Sequence, residues 1–209
     1  MRRATMNEAE QFWNERFNTD EFIFGKEPNK YLRIKSAGYL TKPSKVLCIA
    51  DGEGRNSVWL AKQGHQVEAF DVSSVAIKKA QNFSAENQVS VTFEHADCDS
   101  FSWPTEKYDA IAAIFIQFAD PALRERIFTN FVKSLKTDGI LILQGYTPKQ
   151  LEYKTGGPSD ITHLYTEELM RDLLAEMEIL EMMSYEEELH EGARHSGMSA
   201  LLGLVAKKR

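Results

Sequence analysis

The chain has 209 residues, of which 43% are apolar, 27% charged and 11% aromatic, and a formal net charge of −6. That length and apolar content support one domain with its own core and exclude a mainly disordered chain. No stretch reaches the roughly 18 consecutive apolar residues of a membrane helix, and the acidic balance leaves little for a phosphate-backbone footprint, which draws on clustered Lys and Arg.

The basic start Met1-Arg2-Arg3 runs into Asn7-Glu8-Ala9-Glu10, where a secretory signal would need an apolar core. Cys48 and Cys98 show no CxxC spacing, so neither a disulfide framework nor a metal site is expected, and the chain fits a reducing cytoplasm.

In chain order, residues 7–40 read as two helices separated by 20–28. The apolar run 46–50 follows Pro43-Ser44 and reads as a buried strand. A helix over 56–63 ends at Gly64, and 66–70 is a second strand. Ser73 or Ser74 caps a helix over 75–87, and 89–95 alternates as a third strand. The apolar segment 108–118 supplies a fourth strand and the turn after it. Asp120-Pro121 starts a helix whose Leu123, Ile127, Phe128, Phe131, Val132 and Leu135 share one face. After the Asp138-Gly139 turn, 140–143 is a fifth strand. Residues 149–163 read as a loop, and Thr166 caps a helix to 177. Two long strands, 179–189 and 198–206, flank the loop 190–197 and must be antiparallel, since parallel neighbours need a longer crossover. The expected fold is α/β: a Rossmann-like, doubly wound sheet of about seven strands, mostly parallel with a C-terminal antiparallel pair, and helices on both faces. It forms one domain over 1–209, with a helical cover over 1–42 and the core over 43–209.

Chemistry in such a sheet belongs at the carboxyl ends of the parallel strands. The first loop there is Ala50-Asp51-Gly52-Glu53-Gly54-Arg55-Asn56. Its glycines let backbone approach a ligand closely. Asp71 closes the second strand 19 positions after Gly52, where an acid takes a ribose diol. A G-x-G alone is weak, but the ordered set of strand, G-x-G, helix, and strand ending in an acid is not. Nicotinamide cofactors want a third small residue where Ser57 stands, and a pyrophosphate would meet Asp51 and Glu53. A sulfonium nucleoside with an ammonium and no phosphate suits those acids, which points to S-adenosylmethionine.

The run Val46-Leu47-Cys48-Ile49-Ala50-Asp51-Gly52-Glu53-Gly54-Arg55-Asn56-Ser57, with Leu60-Ala61, Gly64 and Asp71-Val72-Ser73, resembles the class I S-adenosylmethionine-dependent methyltransferases. The resemblance is to the small bacterial group near the tellurite-resistance (TehB) and thiopurine methyltransferases. Members carry an acid where Cys48 stands and glycine where Ala50 stands; Asp51 is the residue available to compensate. The resemblance implies cofactor contacts from Ala50, Asp51, Gly52, Glu53, Gly54 and Asn56, and from Asp71, Val72 and Ser73. It adds Asp97 and Cys98 after the third strand, and Ile114 and Phe115 at the end of the fourth. It also adds Trp13, whose Trp13-Asn14-Glu15-Arg16-Phe17 matches a W-x-x-R-[WF] pattern folding over the cofactor, with Phe24-Gly25 and Pro28 as hinge.

The tail Leu189-His190-Glu191-Gly192-Ala193-Arg194-His195-Ser196-Gly197 matches an L-x-E-G-x-x-H-x-G pattern of the TehB-like group. Acceptor groups are expected from the cover and the late loops, where the candidates are His163, Tyr165, His190, Arg194 and His195, with Arg194, His195, His163 and Tyr165 taken as catalytic. The resemblance implies methylation of a small molecule, a chalcogen oxyanion such as tellurite or selenite, or a thiol. No nucleic-acid or membrane partner is expected, and the chain would be a monomer or homodimer. Two other readings stand beside it. A nicotinamide oxidoreductase would want a Tyr-x-x-x-Lys helix, which Tyr153-Lys154 does not supply. A non-catalytic S-adenosylmethionine-binding module is kept open by the missing acid at 48.

Overall fold

The computed structural model describes residues 6–192 and 195–209. The elements are α1 (Met6–Phe17), α2 (Lys30–Tyr39), β1 (Lys45–Ile49), α3 (Arg55–Lys62), β2 (Gln66–Asp71), α4 (Ser74–Glu86), β3 (Val91–His95), β4 (Tyr108–Ile114), α5 (Pro121–Ser134), β5 (Leu135–Tyr146), α6 (Gln150–Tyr153), α7 (Glu167–Leu173), β6 (Met177–Glu191) and β7 (His195–Lys208). They build a seven-stranded sheet in the order β3-β2-β1-β4-β5-β7-β6. Strands β1 to β5 pair in parallel, and β7 runs antiparallel to both β5 and β6. The strand order reverses at β1, so the crevice outside β1 and β4 is the natural binding place.

Strand alternation divides the core. Leu47, Ile49, Ile111, Ala113, Leu141 and Leu143 face one way and pack with Ile127, Phe128 and Phe131 of α5. Val46, Cys48, Ala110, Ala112, Ile140 and Ile142 face the other way and meet Leu32 of α2 and Leu60 of α3. Helix α2 thus lies on the sheet, and the part of the N-terminal segment that reaches over the strand ends is α1 with residues 18–29. Local capping sets the helix starts. Asp120 accepts from Leu123 N at 2.8 Å with Pro121 at the first position, Thr166 Oγ1 accepts from Leu169 N at 3.1 Å, and Ser73 Oγ accepts from Ala76 N at 3.1 Å.

Several boundaries differ from the sequence reading. Strand β4 stops at Ile114 because Phe115 takes a positive φ of 54°. Strand β5 begins at Leu135, and the expected turn survives as a register shift between Tyr108 and Ala110 on β4, with Asp138 at φ 62°. The segment 149–163 holds α6 and a 3₁₀ turn over Ile161–His163. Pairing reaches into the loop expected over 190–197, because His190 pairs with Ser196 and Glu191 with His195. Backbone pairing outweighs the polar, glycine-containing sequence there, and it puts His195 inside the ladder, facing a fixed direction.

Core and cap contributions should separate cleanly in urea denaturation. Phe131→Ala, which empties a fully buried ring site, should cost about 3–5 kcal/mol. Asp120→Ala, which removes only the α5 cap, should cost about 1 kcal/mol.

Candidate active site

The loop after β1 is a tight bend with unusual backbone. Ala50 sits at φ 47°, a left-handed conformation that costs a non-glycine residue about 1–3 kcal/mol. Gly54, at φ 88°, opens α3, and a Cβ there would fall 2.8 Å from Ala80 Cβ of α4. The glycine therefore lets α4 close against the loop. Asp71, only 5% exposed, holds the bend: its Oδ2 accepts from Gly52 N at 2.8 Å and its Oδ1 from Ser73 N at 2.8 Å. Burial raises its carboxyl to about 6, opposed by those amide bonds. A carboxylate oxygen can accept along a second lone-pair direction as well.

The side chains of the same loop turn to a different task. Glu53, 3% exposed, accepts from Ile23 N at 2.9 Å and pairs with Lys79. Arg55 donates to Phe24 O at 3.0 Å and to Glu191 Oε2 at 2.7 Å. Asn56 Oδ1 accepts from Asn29 N at 2.9 Å. Lys79 also donates to the carbonyls of Phe17, Thr19 and Glu21 at 3.3, 2.9 and 2.7 Å. These side chains strap the segment 17–29 down over the strand ends. Phe17 is buried, stacks on Trp13 at 5.6 Å, and reaches within 3.4 Å of where a Gly52 Cβ would stand. Asn14 ties α1 to the start of α4 by accepting from Ser73 Oγ at 2.7 Å and Val75 N at 3.2 Å.

The remaining cofactor candidates line the neighbouring strand ends. Asp97 Oδ1 accepts from Asp99 N at 3.1 Å and Ser100 N at 2.7 Å, which fixes the turn after β3. Val72 O accepts from or faces His95 Nε2 at 2.9 Å. Cys98 is buried and its thiol is pushed up to about 12; Cys48, also buried, is raised well above its ordinary range. Neither is a thiolate nucleophile at neutral pH. Ile114 packs with the sheet-face cluster, and Phe115 turns toward β7, 4.8 Å from the Tyr146 ring and 4.4 Å from the His195 ring.

His195 is the acceptor-side candidate that this geometry brings to the loop. Its ring lies among Phe24 (4.6 Å), Phe115 and Tyr146 (5.8 Å), with Nδ1 3.9 Å from Glu191 Oε2. Burial lowers its pKa, against the pull of Glu191. Burial acts to raise Glu191, yet His195 and Arg55 together hold that carboxylate down at about 2. The Tyr146 hydroxyl and His195 Nδ1 are buried without a hydrogen-bond partner, and Glu191 lies near both. The hairpin tip presses on the cover: a Cβ at Gly192 would lie 2.5 Å from Ile23 O. The other candidates lie elsewhere. His163 Nδ1 contacts Gln117 O at 2.9 Å, and Tyr165 is fully buried in the α5-side core. Arg194 is outside the described residues.

Sequence reasoning missed Arg55, Glu191, Lys79, Asn29 and Tyr146 as members of the site. Arg55 directly follows the second loop glycine and Glu191 directly precedes a hairpin glycine, so a charge beside a glycine was the available signal in each case. Nothing local marks Lys79 or Tyr146; only the packing brings them in.

Residues 46–139 match the family model described as a methyltransferase domain. Ribosomal protein L11 methyltransferase of Dictyoglomus turgidum is 32% identical over 133 residues, covering 63% of this chain and 42% of that protein. The chain spans less than half the length of the curated relatives it matches. TehB from Haemophilus influenzae superposes with a TM-score of 0.71 at 18% identity, over 97% of this chain and 68% of that one. The magnesium protoporphyrin IX methyltransferase of Synechocystis PCC 6803, solved with bound SAH, gives 0.69 at 17% identity, over 98% and 99%. The G-x-G loop and the acid at the end of β2 both lie in the segment that matches the methyltransferase domain, and the fold is the one these solved methyltransferases share. No helix among the described residues is long and apolar enough to cross a membrane.

The buried loop acid gives a pH signature. Burial raises Asp51 to about 7, with Ser57 and Arg55 opposing and Asp71 reinforcing, whereas an unfolded Asp titrates near about 3.9. The folded state therefore holds this proton more tightly. Its stabilising contribution is complete below about pH 4 and disappears as pH rises through about 7. In a melting-temperature series across that window, the wild type should lose stability with a steeper slope than Asp51→Asn, which keeps only the similar but smaller effect of Asp71.

Proposed function

We propose that this chain transfers the methyl group of S-adenosylmethionine to a small molecule, and that the acceptor atom is a thiol sulfur. The observation that carries the cofactor side is the Asp71 carboxylate, fixed by Gly52 N and Ser73 N at the end of β2 with its outer lone pairs left for a diol. When bound, S-adenosylmethionine supplies a methyl carbon already activated by its sulfonium. Asp71 would hold the ribose hydroxyls, the turn at Asp97 and Cys98 and the residues Ile114 and Phe115 would flank the adenine, and Trp13 and Phe17 would cover it.

The chain's own contribution to the chemistry is alignment, exclusion of water and removal of one proton. Positioning can supply about 7–11 kcal/mol of the barrier. The strapped cover and the rings of Phe24, Phe115 and Tyr146 shield the His195 ring from water. His195, held neutral by burial, accepts the proton of the acceptor thiol as its sulfur takes the methyl carbon. The Glu191 carboxylate beside Nδ1 then balances the imidazolium. A thiol is favoured over a chalcogen oxyanion because the Arg55 guanidinium, which would otherwise suit an anion, is already matched by Glu191. A small acceptor, in preference to a protein or RNA, is supported by how little of His195 is reachable, 11% of its side chain.

Calorimetry with SAH tests the cofactor half: Asp71→Ala should abolish binding, and unchanged affinity would refute the ribose assignment. Release of SAH from S-adenosylmethionine in the presence of a thiol panel, compared with tellurite and selenite, tests the acceptor. His195→Ala should lower kcat on the best thiol by about 10²-fold, a typical worth for a general base, with SAH affinity preserved. The acid limb of kcat/KM should lie below the ordinary histidine range, because burial lowers the His195 pKa.

A further inference from the structure

Tyr146, at the end of β5, is held in place by everything except its hydroxyl. Its backbone N donates to Gln117 Oε1 at 2.5 Å, and its carbonyl accepts from Gln117 Nε2 and from Tyr165 N, both at 2.9 Å. Its ring packs with Leu164, Leu189 and Leu201 and lies 4.8 Å from the Phe115 ring. Gly157 leaves room for that ring, since a Cβ there would fall 2.8 Å from Tyr146 Cδ2. The residue is 2% exposed, and its Oη has no hydrogen-bond partner among the described residues. Other tyrosine hydroxyls are matched: Tyr185 Oη accepts from Gln144 Nε2 at 2.6 Å, and Tyr108 and Tyr39 donate to Glu68 and Glu181 at 2.7 and 2.6 Å. Tyr165 also lacks a partner, but it lies in the α5-side core. A phenylalanine at 146 would fill the same space without burying an unpaired hydroxyl, which is costly.

The hydroxyl therefore answers to something outside the chain, and its neighbours say what. The Tyr146 ring meets that of His195 at 89°, with centroids 5.8 Å apart, so it borders the pocket given above to the methyl acceptor. Burial, with the Glu191 charge second, raises its pKa, and the group stays a protonated donor at neutral pH. Sulfur is a weak hydrogen-bond acceptor and oxygen a strong one. A carboxylate would be buried near Glu191, with Arg55 already bonded to that residue. Resting on the thiol reading above, we infer that Tyr146 Oη donates to an uncharged oxygen of the acceptor, a carbonyl or hydroxyl a few bonds from its sulfur. Tyr146 thus selects oxygen-bearing thiols over plain alkyl thiols, while His195 takes the thiol proton.

The experiment measures SAH release with two thiol pairs, 2-mercaptoethanol against ethanethiol and mercaptoacetone against 1-propanethiol, on the wild type and on Tyr146→Phe. Within each pair, the ratio of kcat/KM values is compared between the two proteins, which cancels the intrinsic reactivity of each sulfur. In at least one pair the ratio of oxygen-bearing to plain thiol should fall about 10–100-fold in the variant, the worth of one hydrogen bond to a buried group. Ratios unchanged in both pairs would overturn the assignment, even if all the rates fell together. So would a wild type that prefers 3-mercaptopropionate, the charged probe, to both oxygen-bearing thiols. A second measurement needs no turnover: without ligand, Tyr146→Phe should melt at or above the wild-type temperature. A lower melting temperature would give the hydroxyl a partner within the chain and overturn the inference. A wild type that binds SAH but releases none with any thiol would instead strike the thiol reading, and this inference with it.

Discussion

The site is organised around one carboxylate whose two oxygens are each gripped by a backbone amide from a different loop. Asp71 draws Gly52 N from the β1–α3 bend and Ser73 N from the entry to α4 onto a single group. That double grip sets the curvature of the first loop and therefore the positions of Asp51, Glu53, Arg55 and Asn56. It also orients Ser73, which caps α4 and receives Asn14 from α1. Burial taxes the anion, and two amide donors are what keep it affordable in that surrounding.

A second layer of polar contacts rests on this frame. The side chains of the G-E-G-R-N run clasp the polypeptide that folds over the strand ends. Asn29 shows how tightly the layers interlock. Its amide nitrogen donates to Asn56, its side chain caps α2 through Leu32 N, and its Nδ2 reaches both Gln144 on β5 and Glu191 on β6. Four elements are pinned through one asparagine, three of its bonds in buried surroundings where each is worth more than at the surface.

Much of this was legible in the sequence because the relevant signals are local. Short apolar runs marked most of the parallel strands, Asp120-Pro121 and Thr166 marked helix starts, and the glycine loop and the acid 19 positions after Gly52 marked the two groups that meet at the strand ends. The hairpin was misjudged because Leu189 to Gly197 looks polar and flexible, whereas pairing across β6 and β7 runs to Glu191 and His195. The roles of Arg55 and Glu53 were hidden for a different reason. Motif reading gives the loop a ligand, but which way a side chain points depends on a segment about 30 residues upstream that folds back over it. Tyr146 and Lys79 carry no pattern at all; they matter only through tertiary placement.

The guanidinium of Arg55 joins the covering segment at Phe24 to the hairpin at Glu191. Two flaps from opposite ends of the chain thus share one latch. Lifting either flap strands a carboxylate or a guanidinium in a poorly hydrated place, so the two tend to part together. The placement of the covering segment and that of the hairpin therefore depend on each other through one side chain.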